Sequence, residues 1–426
     1  MPDEINHPKL DLDRNLSAQQ LTLLRRVAEA ASARQVPLYL VGGLVRDLLL
    51  GSPVTDFDLV VEGDAIVFAK GLAAQHGGRV TAHVRFGTAQ WFLPDSDGHA
   101  LDFISTRSET YKHPGALPTV KPGHLADDLA RRDFTINTLA VRIDGAHWGE
   151  LRDDLGGLKD LERGLVRVLH PKSFLDDPTR LFRLVRYEQR YGFQIAPETL
   201  MLIPPARQLI SSLSAERLRH ELDLILEEEN SVAMLSRLAE LDLLQPIHLA
   251  LVWNDARRER YINGLRLARD GHSQVIRLSA GRSFLAWHFW LLDLAPADVQ
   301  NLERRLHFHA KLLESLLAAS ALFADLPSLS GSMKPSQWMN RLEELPLTAV
   351  YAVFLSIPEG EVCQTLHTYL ETWRHVKPKT NGHDLKKRGL PAGPRYQQIL
   401  TRLRQAWLDG EVKTEIEEME LLDTLI

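Results

Sequence analysis

A short apolar run, Leu38-Tyr39-Leu40-Val41, ends in Gly42-Gly43, and Val45-Arg46-Asp47-Leu48-Leu49-Leu50 follows. Gly51-Ser52-Pro53 then breaks the chain, and a second run carries Asp56-Phe57-Asp58-Leu59-Val60-Val61. The pattern predicts a strand, a tight turn, one or two helical turns and a second strand. Residues i and i+2 of a strand face the same side, so Asp56 and Asp58 present adjacent carboxylates while Leu59-Val60-Val61 enters a core. Two such carboxylates repel unless a cation sits between them, and hard oxygen ligands suit Mg²⁺. A glycine pair before a helix start, with Arg46 one turn on, offers N–H groups and positive charge to phosphate. Each half is weak alone, since most glycine pairs are only turns and most D-x-D pairs are solvated. In this order they make a candidate nucleotide–metal site.

A chain of 426 residues exceeds one ordinary core and predicts two to four units. Its 44% hydrophobic and 25% charged content is that of a soluble globular protein. The single cysteine, Cys363, excludes an internal disulfide framework and fits a reducing cytoplasm. The first twenty residues hold no apolar stretch of a secretory signal, and no run is long enough to cross a bilayer. The net charge of -6 argues weakly against a nucleic-acid partner, although a local basic face overrides a global balance.

Residues 16–35 read as an amphipathic helix with Ser17 as cap. Residues 65–75 form another, closed by Gly77-Gly78, and 79–83, 89–93 and 100–104 read as strands of an α/β unit. Asp102 lies in the last strand and supplies a third carboxylate if that strand neighbours the D-x-D strand. Residues 108–130, rich in proline and glycine at the start, read as a long irregular loop. Arg131-Arg132-Asp133-Phe134-Thr135-Ile136-Asn137 follows, and a double arginine suits a triphosphate through bidentate charge-assisted bonds. Asn137 is expected to hold the local backbone. Asp177-Pro178 reads as a helix cap with proline in the first turn. Beyond it Arg180, Arg183, Arg186 and Arg190 share one third of the helix circumference, with no i,i+4 acids along the stripe. Such a stripe points to an anion. Beyond residue 196 the pattern is helical, including 256–270, 282–292 and an unbroken 296–324. His288, His307 and His309 lack partners at metal-ligand spacing and are expected to pack or face RNA.

Taken together, GG-x-V-R-D, D-x-D and RRDFTIN-x-LA resemble the signatures of the class II, bacterial-type tRNA nucleotidyltransferase and poly(A) polymerase family. The likeness is strong over residues 38–193 and looser beyond. It implies an α+β fold: a catalytic head over 1–150, a helical neck over 151–230, a helical body over 231–335 and an RNA-binding tail over 336–426. It implies transfer of C and/or A from CTP or ATP to the 3′ end of tRNA, with release of pyrophosphate. Asp56 and Asp58, with Asp102 as third acid, would hold two Mg²⁺ ions; Gly43, Arg46 and Arg132 would hold the triphosphate. The family's base-selecting motif E-D-x-x-R appears as Asp176-Asp177-Pro178-Thr179-Arg180, with Asp in place of the first Glu, and the stripe residues Arg183 and Arg186 join the nucleotide site. Asp153-Asp154-Leu155-Gly156-Gly157 lacks the proline usual at the family's hinge, which implies a less stiff connection.

Other readings stay open at this point. A poly(A) polymerase belongs to the same class, but its strongly basic C-terminal region contrasts with the acidic EVKTEIEEMELLDTLI here. An RNA-binding protein with a retired site is disfavoured by the intact Asp56/Asp58 pair. The resemblance also implies a loop near residue 112 that helps the pocket pass from C to A through a basic–acidic pair. This chain offers Lys112, but no acid until Asp127. Shortening 112–122 is therefore expected to impair A addition more than C addition in an enzyme that performs both; equal loss of both, measured with labelled CTP and ATP separately, would make the loop structural.

Overall fold

Leu59, Val60 and Val61 are fully buried because their strand runs through the middle of a sheet covered on both faces at that point. The computed structural model describes residues 8–53, 57–94, 100–110, 119–270, 281–329 and 333–426. Two units are distinguished, Met1–Ser214 and Ala215–Ile426. Strands β1 (Leu38–Val41), β2 (Asp58–Val61), β3 (Arg79–His83), β4 (Thr88–Phe92), β5 (Ala100–Ser105), β6 (Arg107–Thr110), β7 (Thr119–Pro122), β8 (Ala140–Arg142) and β9 (Glu150–Arg152) all lie in the first unit. Seven of them form one sheet in the order β3-β4-β5-β2-β1-β8-β9. β2 is antiparallel to β1 and parallel to β5, so strands distant in sequence meet beside Asp58.

Local chemistry explains the elements that flank the sheet. Ser17 and Gln20 form a reciprocal capping box at the start of helix Ala18–Ala33. Asp64 caps helix Ala65–His76 by accepting from Ile66 N at 2.9 Å and Val67 N at 3.0 Å. That helix covers one face of the sheet, where Phe68 meets Phe103 edge-on at 5.5 Å. Against the other face, Leu125 and Leu129 pack on Tyr39, Val41, Val60 and Ala140, with Ile104 at the margin.

The stretch 108–130 differs from the irregular loop that its prolines suggest. β6 pairs antiparallel with β7, and helix Leu125–Ala130 follows. Four-residue strands beside a proline-rich link show too little alternation to be read from one sequence. Lys112 and the rest of 111–118 lie outside the described residues. Past the sheet, Asp153 accepts from Gly157 N at 2.7 Å and Leu158 N at 3.0 Å, which holds the start of helix Gly157–Glu162 where the proline is missing. Gly157 packs directly on the Thr135 carbonyl, and a Cβ there would clash.

The second unit is all helical among the described residues. Trp287 and Trp290 stack at 5.5 Å in its core, with Trp253 edge-on to Trp290. The span 296–324 is two helices, Pro296–Leu306 and Ala310–Asp325, broken where His307 takes a left-handed conformation at φ 48°. No described helix is long and apolar enough to cross a membrane. Of the three histidines, His288 is a packing residue with no exposed surface. Its Nδ1 bonds Phe284 O at 2.7 Å and its Nε2 bonds Ser315 Oγ at 2.8 Å, which in turn meets Thr348 Oγ1 at 2.7 Å.

Burial pushes the His288 imidazole down to about 4, against the lesser pull of its hydrogen bonds. Between that value and the unfolded value of about 6.5 the unfolded chain binds the extra proton. The contribution is therefore complete above pH 6.5 and is lost as pH falls toward 4, by roughly 3 kcal/mol. Urea unfolding of the wild type should show this acid loss, and His288→Leu should lack that part of the slope. Parallel pH profiles for the two proteins would contradict the assignment.

Candidate active site

β1 ends at Val41, and Gly42 turns the chain with φ 70° before helix Gly43–Leu49 begins. The Gly42 N–H donates to Leu139 O at 2.9 Å, which ties the turn to the segment after the double arginine. The positive φ of Gly42 favours glycine, and a Cβ there would also push on the Arg132 guanidinium. Arg132 Nη2 donates to Asp128 Oδ2 at 3.0 Å. Asp128, with no exposed side-chain surface, also takes two bonds from Arg131, while Arg131 Nη1 reaches Glu109 of β6 at 3.1 Å. One buried acid thus aims both arginines.

Beneath the turn lies a second, deeper network. Arg46 is 3% exposed. Its Nε and Nη2 donate to Asp47 at 3.0 Å each, and Nη1 donates to Asn137 Oδ1 at 2.5 Å. The guanidinium is flanked by the rings of Tyr187 and Tyr191, with centroids at 5.1 and 4.6 Å. Asn137 Nδ2 continues to Asp133 Oδ1 at 2.8 Å, and Arg183 Nε closes on Asp133 Oδ2 at 2.8 Å. Burial alone would raise the Asp133 carboxyl, but Arg183, Asn137 and Arg180 outweigh it and hold its pKa below the usual value.

Helix Arg180–Tyr191 supplies the far wall. Thr179, not Asp177, occupies the cap position; Asp177 Oδ1 instead accepts from Thr179 N at 3.0 Å and Thr179 Oγ1 at 2.7 Å. The carboxylate therefore organises the turn from two residues upstream. Arg180 is 5% exposed, with Nη2 on Arg131 O at 2.7 Å and Nη1 on Ser173 O at 3.4 Å. It is no solvated surface charge.

These elements enclose a cavity of about 430 Å³. Gly43, Asp58, Arg132, Asp177, Arg180 and Arg183 line it, together with Glu109, Arg131, Asp133, Asn137 and Tyr187. The volume lies within the range of small-molecule sites. Asp58, the exposed first residue of β2, stands in register with Asp102 of β5, so the two carboxylates share one face. Asp56 lies outside the described residues, and among the described residues no group of three or more ligating side chains assembles. Two adjacent hard oxygen donors, Asp58 on the cavity wall and Asp102 beside it on β5, nonetheless fit a divalent cation.

Three described site residues from sequence are not on the cavity wall: Asp102, which stands beside Asp58 on β5, and Arg46 and Arg186. Arg46 lies under the wall, paired with Asp47 and Asn137, because a residue one turn into this short helix points back into the core. Arg186 is buried at the trailing edge of the arginine stripe, over Tyr187 at 5.8 Å, while the cavity side of the helix is Arg180, Arg183 and Tyr187. Sequence reasoning missed Asp128, Glu109 and Tyr187. Asp128 left a usable signal, since it stands three and four residues before the double arginine.

A family model described as the poly(A) polymerase head domain matches residues 38–167, and one described as a probable RNA and SrmB-binding site of polymerase A matches 192–252. An A-adding tRNA nucleotidyltransferase of Geobacter sulfurreducens is 36% identical over 96% of this chain, which spans only 47% of that protein. Another, of Halalkalibacterium halodurans, is 32% identical over 96% of this chain and 93% of that protein. The Thermotoga maritima CCA-adding enzyme complexed with tRNA superposes with a TM-score of 0.75 at 28% identity, covering 97% of each chain. The chain belongs to the class II tRNA nucleotidyltransferase and poly(A) polymerase family.

Proposed function

We propose that the protein transfers C and/or A from CTP or ATP to the 3′ end of tRNA, in the cytoplasm, with release of pyrophosphate. The observation that carries this reading is the single cavity that brings Asp58, Arg132 and the Asp177–Arg180 turn together from three separate segments. Two relatives that match 96% of the chain are A-adding enzymes, while CCA-adding enzymes match 89–92% of it at lower identity, which supports addition of A as the step to test first. The division at residues 150, 230 and 335 into head, neck, body and tail is retained as the functional partition, with the tail on RNA.

In this mechanism Gly43 and Arg132 hold the triphosphate at the β1 turn, and Arg183 adds positive charge along the wall. Arg46 acts one layer back, as a positioning residue for Asn137 and the turn. Asp58 and Asp102, with Asp56, would hold Mg²⁺, which when bound lowers the barrier to attack by the 3′-OH and neutralises the leaving phosphates. Asp177 and Arg180 read the base. Cytosine and adenine each show an amino donor beside an unprotonated ring nitrogen, whereas uracil and guanine show a carbonyl beside a ring N–H. A carboxylate only accepts and a guanidinium only donates. The pair thus matches C or A and mismatches U or G, leaving buried polar groups unpaired at roughly 1–3 kcal/mol each. Arg180 has donors left for this task, since its two backbone bonds use only part of its five N–H groups.

Asp58→Ala should abolish incorporation from labelled CTP and ATP in Mg²⁺ while leaving melting temperature and tRNA binding close to wild type, because an exposed strand residue carries little packing. Wild-type incorporation by that variant would sink the metal assignment. Replacing Asp177 and Arg180 together by alanine should collapse discrimination against UTP and GTP even where total activity is low. Unchanged relative use of the four nucleotides, with only the melting temperature lowered, would reduce the pair to a turn and a packing contact.

A further inference from the structure

Among the described residues, one face of the sheet is left uncovered beside the carboxylates. Side chains alternate along β4: Ala89 and Trp91 are buried against helix Ala65–His76, so Thr88, Gln90 and Phe92 point the other way and are half-buried. In register, Gln90 stands next to Asp102 and Thr88 next to Ile104. On β3 the neighbours continue as Thr81 beside Gln90, His83 beside Thr88 and Arg79 beside Phe92. Helix Leu125–Ala130 covers this same face only over β1, β2 and β8, with Ile104 at its margin. The remainder runs about 10 Å from the Asp102 strand to the sheet edge, two strand spacings.

The placement of the cavity decides what can use this surface. Gly43 follows β1 and Arg132 lies across the Gly42 turn, so these triphosphate-facing groups lie on the β1 side of Asp58; the cavity wall takes Ile104 from β5 but no residue from β4 or β3. Asp58 and Asp102 then mark a boundary, with β4 and β3 on the opposite side of it. We propose that the open face of β3 and β4, carrying Arg79, Thr81, His83, Thr88, Gln90 and Phe92, seats the terminal nucleotides of the acceptor RNA strand. This inference rests on the transferase reading and adds to it the direction from which the 3′-OH arrives.

The chemistry of the face fits a single RNA strand. Among the described residues, the side chains of Thr81, His83, Thr88 and Gln90 have no hydrogen-bond partner within the protein, although their backbones are held in a sheet. Threonine and glutamine offer both donors and acceptors to ribose 2′-OH groups and base edges, the feature that distinguishes RNA from DNA. At the outer end the Arg79 guanidinium lies 3.8 Å from the Phe92 ring centroid, a stacked cation–aromatic pair of the kind on which unpaired bases rest. Gln90, next to Asp102, is placed for the last ribose, and Arg79 and His83 for the phosphates behind it.

Two measurements on the full chain test this. An RNA minihelix ending in 4-thiouridine is irradiated in complex with the protein and the adduct mapped by mass spectrometry; the expected site is within residues 79–92. In parallel, Gln90→Ala and His83→Ala should each raise KM for the RNA acceptor about tenfold, with KM for the nucleoside triphosphate within twofold and an unchanged melting temperature. Adducts confined to other segments, or variants whose acceptor KM is unchanged or whose two KM values rise together, would overturn the proposal. A wild type that crosslinks at 79–92 yet transfers no nucleotide would overturn the transferase reading and leave this RNA seat supported. Transfer with adducts elsewhere would overturn the seat alone.

Discussion

Arg46, Asn137, Asp133 and Arg183 form one hydrogen-bonded chain through the interior of the first unit, and the cavity is built on it. Each link joins a different element: the helix after the glycine turn, the segment after the double arginine and the helix that carries Arg180. Asn137 stands at the centre, accepting from a guanidinium and donating to a carboxylate, the one arrangement that satisfies both charged neighbours. Removal of Arg183 takes the hydrogen-bonded counter-charge from the buried Asp133 carboxylate, a loss that typically costs about 3–5 kcal/mol. The chain therefore fixes how far the turn at Gly42 stands from the wall at Asp177 and Arg180, and that separation sets what fits between them.

Above this layer the charges on the cavity wall balance in number. Arg131, Arg132, Arg180 and Arg183 face Asp58, Glu109, Asp133 and Asp177. Their work is divided. Glu109 bonds Arg131, and Asp133 bonds Arg183 and Asn137, as structural counter-charges, whereas Asp58 and Asp177 stand at the rim and in the turn. A net charge of -6 for the whole chain predicts nothing of this, because recognition of a triphosphate depends on which cations are aimed and which acids hold them.

Much of the head could be read from residue order because its signals are local. The strand–turn–strand around Gly42 and Asp58, the cap at Ser17 and the Gly77-Gly78 stop all depend on neighbours within a few positions. The adjacency of Asp102 to Asp58 was a conditional reading, and the parallel pairing of β5 with β2 meets its condition. Direction was harder to read than composition. Arg46 and Arg186 carry the charge expected at a phosphate site, yet one turns under the wall and the other lies at the edge of the stripe. The arginine stripe looked unneutralised because its counter-ion, Asp133, lies fifty positions away in sequence. The β6–β7 ribbon escaped for a different reason: its strands are four residues each, and no periodicity accumulates over that length. His307 breaks a helix through a left-handed residue that helix propensity alone does not foresee.

The central claim is that this cavity selects C or A and joins it to an RNA 3′ end. It is tested most directly by incubating the full chain with Mg²⁺ and tRNA transcripts ending before, within and one residue short of CCA. Each is offered labelled CTP, ATP, UTP and GTP singly, then CTP with ATP. The account predicts incorporation of C and/or A on the matching transcript, none from UTP or GTP, and arrest once the CCA end is complete. Comparable incorporation of all four nucleotides, or none at all by a protein that still binds tRNA, would contradict it, and unlimited A addition would identify a poly(A) polymerase instead.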